Sequence, residues 1–227
     1  MEELSKDMIG ALNNKAYVIG GLNIPESVII TWCIMAFLVI VSILFTRNLK
    51  IVPSKPQMVV EAIVGFINNF FTELLGERGK KYIPYLGTVL IYLGVANTIG
   101  LFGITPPTKD INMTTALALM SILLIEGSGI YEKGIKKWLH HFVEPIPIVA
   151  PINVLEVFIR PLSLCMRLFG NILGGFIVME LLKHVCAILV PLPFSFYFDI
   201  FDGLIQAYVF VFLTSLYIKE AIELQAE

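Results

Sequence analysis

The chain has 227 residues, of which 57% are apolar and 15% charged, against about 25% charged in an ordinary soluble domain. Mean hydropathy is +0.82, and a net charge of −2 carries no nucleic-acid signature. The natural unit of length is therefore a bilayer crossing of about 20 apolar residues, not a soluble domain.

Residues 1–25 are polar and mixed, with Glu2, Glu3 and Asp7, and no cleavable leader is evident. A first span is predicted over residues 28–45, stopped by Arg47 and Lys50. Residues 55–79 differ in kind. Val59, Val60, Ile63, Phe66, Ile67, Phe70, Phe71 and Leu74 recur at helical spacing, with Glu61, Asn68, Asn69 and Glu73 between them. That pattern predicts an amphipathic helix lying in the membrane interface. A second span is predicted over 82–102 and ends at Pro106-Pro107, which cannot continue a helix. A third covers 113–130, followed by a basic segment with Lys133, Lys136 and Lys137. The fourth (153–190) and fifth (194–217) flank Pro191-Leu192-Pro193, and their length predicts a strongly tilted hairpin. The expected fold is thus all-α and polytopic, with five transmembrane helices and one interfacial helix in a single membrane domain over 1–227. Its parts are an outer segment (1–25), the interfacial helix (55–79) and the tilted hairpin (150–223).

Orientation follows from the lysines and arginines. With the N-terminus outside, the inner segments carry Arg47, Lys50, Lys55, Arg78, Lys80, Lys81, Lys133, Lys136, Lys137 and Lys219; the outer ones carry Lys6, Lys15 and Lys109. That bias predicts a cytoplasmic C-terminus.

One residue breaks the apolar logic. Arg167 lies deep in the fourth span, where a guanidinium costs roughly 2.5 kcal/mol on insertion scales. It cannot escape by losing its proton. On the same helix face, at spacings of three and four, stand Glu156, Arg160, Ser163, Asn171 and Gly174, with Asn153 at the inner end. Glu180, Lys183 and His184 lie nearer the outer end. Asp199, Asp202 and Gln206 share a face of the fifth span. Two adjacent helices thus offer a row of titratable and hydrogen-bonding groups across the bilayer, broken by one permanent cation.

Plainer readings stand beside this one. Arg167 could be a structural pair with Glu156, Asp202 or Glu180. Asn171 and Gln206 could be interhelical glue, and Glu180, Lys183, His184 and Asp199 could snorkel at the interface. Gly170, Gly174 and Gly175 are expected to allow close helix approach. Cys33, Cys165 and Cys186 lie in apolar runs and read as core residues. His140, His141 and Glu144 give only a faint metal pattern. No HExxH, GxSxG, P-loop or dinucleotide fingerprint is present, so an enzyme acting alone is not expected.

The segment RLFGN at 167–171, preceded by RPLSLCM and followed by a glycine pair, resembles the fingerprint of the subunit a family of bacterial F-type ATP synthases. Residues 97–119 (NTIGLFGITPPTKDINMTTALAL) look like that family's loop between the second and third spans. Residues 204–218 (LIQAYVFVFLTSLYI) look like its last helix, with the expected glutamine at Gln206. The resemblance covers most of residues 26–223. It implies an ion-translocating stator of a bacterial cell membrane, not catalytic by itself and needing no cofactor or metal. Its implied partners are a rotating c-ring, peripheral-stalk b subunits and membrane lipid, without nucleic acid. It carries the essential arginine onto Arg167 and its polar neighbours onto Asn171 and Gln206. An outer half-channel would use Glu180, Asp199 and Asp202; a cytoplasmic one Asn153, Glu156 and Ser163. The coupling ion, proton or sodium, is left open. Where relatives often carry glutamate or histidine, this chain reads Gly175-Phe176, with Glu180 one turn further as a substitute, and Asp199 on the facing helix. Two rivals remain: a secondary transporter whose Arg167 binds an anionic substrate, and a non-conducting scaffold.

Overall fold

The computed structural model describes residues 16–19, 22–47, 49–51, 54–141, 150–185 and 191–223. A short antiparallel hairpin comes first, β1 (Ala16–Ile19) and β2 (Leu22–Pro25), with Ile19 opposite Leu22. The sequence reading did not expect it. The signal was the Gly20-Gly21 pair between two β-prone runs, a favoured two-residue hairpin sequence. Every other regular element among the described residues is helical.

α1 (Glu26–Thr46) is apolar nearly all round. It buries one narrow stripe, Ser27, Thr31 and Ile34, and exposes the rest, as a lipid-facing helix would. α2 (Lys55–Gly79) bends where Gly76 takes φ 68°, a left-handed backbone open to glycine. A 3₁₀ turn (Lys80–Tyr82) leads into α3 (Ile83–Thr98), extended by Ile99–Phe102. A further 3₁₀ turn, Pro107–Lys109, precedes α4 (Ile111–Lys133), which is capped by the Asp110 side chain accepting from the Asn112 N–H. α5 (Ile135–His141) is short. α6 (Ala150–Val185) runs through Pro161. Its 36 residues extend about 54 Å at 1.5 Å each. That exceeds a perpendicular crossing of about 30 Å and requires tilt.

The last span differs from expectation in two respects. Helix already begins at Pro191, as α7 (Pro191–Ser195), because proline is tolerated in a first turn. The chain then passes through a π-helical stretch, Phe196–Asp202, before α8 (Gly203–Ile222). Among the described residues, five helical segments are long and apolar enough to cross a membrane: Glu26–Thr46, Lys55–Phe102, Ile111–Lys133, Ala150–Leu182 and Pro193–Ile222.

α8 is the centre of the packing. It contacts α2, α3 and α4, and buries Gln206, Ala207, Phe210, Val211, Thr214, Ser215, Ile218 and Ile222. α6 packs chiefly on α4 and less on α8, so the last two spans form a looser hairpin than their adjacency suggests. Buried hydroxyls turn back on their own helices: Thr214 Oγ1 donates to the Phe210 carbonyl at 2.8 Å and Ser215 Oγ to Phe212 at 2.6 Å. With no water in the bilayer core, such internal satisfaction is what a membrane helix requires.

Candidate functional site

Arg167 is exposed on α6 and makes no hydrogen bond or ion pair among the described residues. None of the three structural pairs considered for it forms. It sits in an open stripe of Leu155, Ile159, Leu162 and Met166, continued by Gly170 and Gly174. A Cβ added to either glycine would meet nothing within 4 Å. The close approach expected of these two glycines therefore does not occur among the described residues. Gly175 does make one, its Cβ direction ending 3.2 Å from Phe198 Cδ1. The result is a smooth apolar face bearing one guanidinium at mid-helix.

On one side of Arg167 lies a larger cavity of about 390 Å³, between α6, the π-helical stretch and residues 97–106. Asn171, Asp199 and Asp202 line it, together with Asn97 and Ser195, and among the described residues no lysine or arginine does. Ser195 Oγ donates to Asp199 Oδ2 at 2.5 Å. Gly100 lets the same carboxylate approach, since a Cβ there would stand 2.6 Å from Asp199 Oδ1. Asn97, 1% exposed, fixes the floor: its Nδ2 donates to the Gly203 carbonyl at 3.0 Å, and its Oδ1 accepts from Thr108 Oγ1 at 2.9 Å. The π-helical register presents Asp199 and Asp202 to one space, as such bulges often do at functional sites.

Toward the other end, a smaller cavity of about 190 Å³ is lined by Asn153, Glu156, Arg160, Glu126, Lys133, Trp138 and Glu220. Arg160 bridges two carboxylates there, Glu156 at 3.0 Å and Glu220 at 2.8 Å, and lies over the Tyr217 ring. Trp138 Nε1 donates to Glu126 Oε2 at 2.9 Å. This cavity mixes both signs of charge, whereas the charged groups lining the larger one among the described residues are carboxylates.

The remaining expected residues lie off both cavity linings. Gln206 is 5% exposed, and its Nε2 has no partner among the described residues. Ser163 is partly buried on α6, one turn before Arg167. Glu180 is partly buried and stands close enough to Lys109 to act on its charge. Lys109, in the turn between two spans, is 7% exposed, with Nζ 3.8 Å from the centroid of the Phe176 ring. Burial pushes its ammonium below the ordinary lysine value, opposed by Glu26 and Glu180. The side chains of Lys183, His184, His140 and His141, and all of Glu144 and Cys186, lie outside the described residues.

Sequence reasoning missed Asn97, Ser195 and Gly100 in the larger cavity, and Glu126, Trp138 and Glu220 in the smaller one. Asn97 had a signal, a carboxamide inside an apolar span. The others gain their place only from packing between distant helices.

Comparison with known proteins gives a consistent picture. The family described as ATP synthase A chain matches residues 28–219. ATP synthase subunit a, sodium ion specific, of Propionigenium modestum is 34% identical over 218 residues, covering 89% of this chain and 75% of that protein. ATP synthase subunit a of Geotalea daltonii is 40% identical over 203 residues, covering 87% and 88%. ATP synthase subunit a 3 of Pelobacter propionicus is 41% identical, with the same coverage.

Proposed function

The chain belongs to the ATP synthase A chain family, and from that premise we propose that it is the ion-translocating stator subunit of an F-type ATP synthase. The observation that carries this reading is the guanidinium of Arg167, exposed at mid-helix on an apolar face without an anionic partner among the described residues. Lipid cannot satisfy a charge there. A carboxylate presented by a neighbouring subunit can, and the two open glycines leave room for that subunit's helix to pass.

The geometry suits a relay with a fixed barrier. Ions reach the ring through the outer cavity, where Asp199, Asp202 and Asn171 carry them inward. They bind a ring carboxylate, travel with the ring, and leave through the inner cavity past Ser163, Asn153 and Glu156. Arg167 stands between the two routes. Its charge favours the ionised carboxylate, so an arriving site releases its ion. Because arginine keeps its proton, it blocks a direct leak. Gln206 keeps a donor that is unpaired among the described residues, buried in the packing of α8.

The c-ring and the b subunits of a peripheral stalk are the partners of this reading, and lipid covers α1. ATP chemistry belongs to a separate soluble sector. The lysine and arginine bias places the N-terminus outside a bacterial cell membrane and the C-terminus in the cytoplasm. Two carboxylates and a carboxamide suit either a proton or a partly hydrated sodium ion, and the relative from Propionigenium modestum is named sodium ion specific. Purification from membranes tests the reading. A co-isolating ring of small apolar subunits supports it; isolation as a lone transporter without one overturns it.

A further inference from the structure

We propose that Lys109 sets the affinity of the outer route for its cation, acting as a fixed positive charge held against the cavity wall. The inference rests on the stator reading and concerns a residue outside both cavity linings.

The placement is built, not incidental. Pro106 and Pro107 restrict the backbone, and the Lys109 N–H donates to the Pro106 carbonyl at 3.1 Å. Thr108 is tied to Asn97, and Asp110, the residue after Lys109, accepts from Ser27 Oγ at 2.6 Å. The turn touches α1, α3, α4 and α6. A lysine at a membrane surface ordinarily extends its ammonium into water. This one instead lies 7% exposed against the face of Phe176. Phe176 is itself part of the outer cavity wall, as are Thr105 and Pro106 from the same loop.

A charge held there acts on the cavity through poorly screening protein. It raises the free energy of any cation that joins Asp199 and Asp202, so the site loads less tightly and unloads more readily. Glu26 and Glu180 supply the counter-charge. Glu180 thereby acquires a different role from that of an ion carrier. It is a positioning residue, moderating Lys109 and never touching the ion.

The test uses the intact complex in vesicles. ATP synthesis is measured while outer sodium and outer pH are varied separately. Lys109→Met keeps the side-chain bulk and removes the charge; it should lower the half-saturating ion concentration by about three-fold or more. Maximal rate should stay near normal. Lys109→Arg should behave as the parent does. Glu180→Gln should shift half-saturation the opposite way, which supports the proposal even if Lys109→Met fails to assemble. Unchanged half-saturation in an assembled Lys109→Met complex, or in Glu180→Gln, overturns it. An equal shift in Lys109→Arg also overturns it, because geometry rather than charge would then be responsible. Failure of the stator reading looks different: Arg167→Gln would remain coupled whatever residue 109 carries.

Discussion

Replacing Arg167 by glutamine isolates the charge from the bulk of the side chain. In the proposed mechanism the guanidinium meets a ring carboxylate at about 4 Å. At an effective dielectric constant of about 20, that contact is worth about 4 kcal/mol to the ionised form. Spread over 1.36 kcal/mol per unit, its loss raises the ring carboxylate's pKa by about three units. Ion release at the stator then slows by about a thousand-fold, and ion-driven ATP synthesis falls to background. The substitution leaves the chain's own packing alone, because Arg167 is exposed and holds no partner among the described residues. Assembly and ATP hydrolysis by the detached soluble sector should therefore persist, which separates loss of coupling from loss of the complex. Arg167→Lys should fail as well, since lysine lacks the planar fork and can shed its proton when desolvated. The assay is ATP synthesis in vesicles under an imposed ion gradient, normalised to assembled complex. Synthesis above about one tenth of the parent rate would refute the reasoning, because it would leave the arginine less than about 1.4 kcal/mol of the effect.

Gly100→Ala should slow ion transport several-fold without loss of assembly, because its Cβ would displace the Asp199 carboxylate from 2.6 Å; Gly94→Ala, facing Leu204 Cδ2 at an ordinary 3.7 Å, is the control and should be silent in the same pumping assay. A Cβ added at Gly174 meets nothing within 4 Å among the described residues, so Gly174→Leu should fold normally yet impair ring rotation; Gly127→Leu, where a Cβ is equally open on α4, should leave ATP-driven pumping intact. On a background freed of Cys33, Cys165 and Cys186, cysteines at 199 and 202 should react with impermeant reagents added outside and a cysteine at 156 with reagents added inside; labelling of all three from one side would undo the two-route assignment.

The spans were legible because they depend on composition and length. An apolar run and its terminating charges are local, and the segments 111–133 and 83–102 lie close to where those signals put them. Arg167 was legible for a stronger reason. A permanent charge in a span has no bland exposed state, so its identity alone marks it. The polar partners were only half legible. Helical spacing put Asp199, Asp202 and Gln206 on one face, but the π-helical stretch shifts the register between them. Asp199 and Asp202 reach the cavity, while Gln206 turns into the packing of α8. No periodicity rule anticipates that insertion, because it relies on neighbouring helices to satisfy the displaced backbone groups.

Glu180 and Lys109 show a second limit. Its place near Pro191-Leu192-Pro193 and the family resemblance made Glu180 a candidate carrier, and Lys109 counted only toward the sign of a loop. Their chemistry depends on what faces them, and the facing groups come from α1, the 107–109 turn and α6, far apart in the chain. The same holds for Asn97, whose bond to Gly203 spans 106 positions. Arg160 and Arg167 make the contrast sharp within one helix. Both are arginines in the same apolar run, seven residues apart. Arg160 is closed off by Glu156 and Glu220 and has little charge left to offer. Arg167 has no such pair among the described residues and looks out from a smooth face. Sequence marks both as costly, but only the fold distinguishes the cation already neutralised from the one that the proposed mechanism presents to a rotating partner's carboxylate.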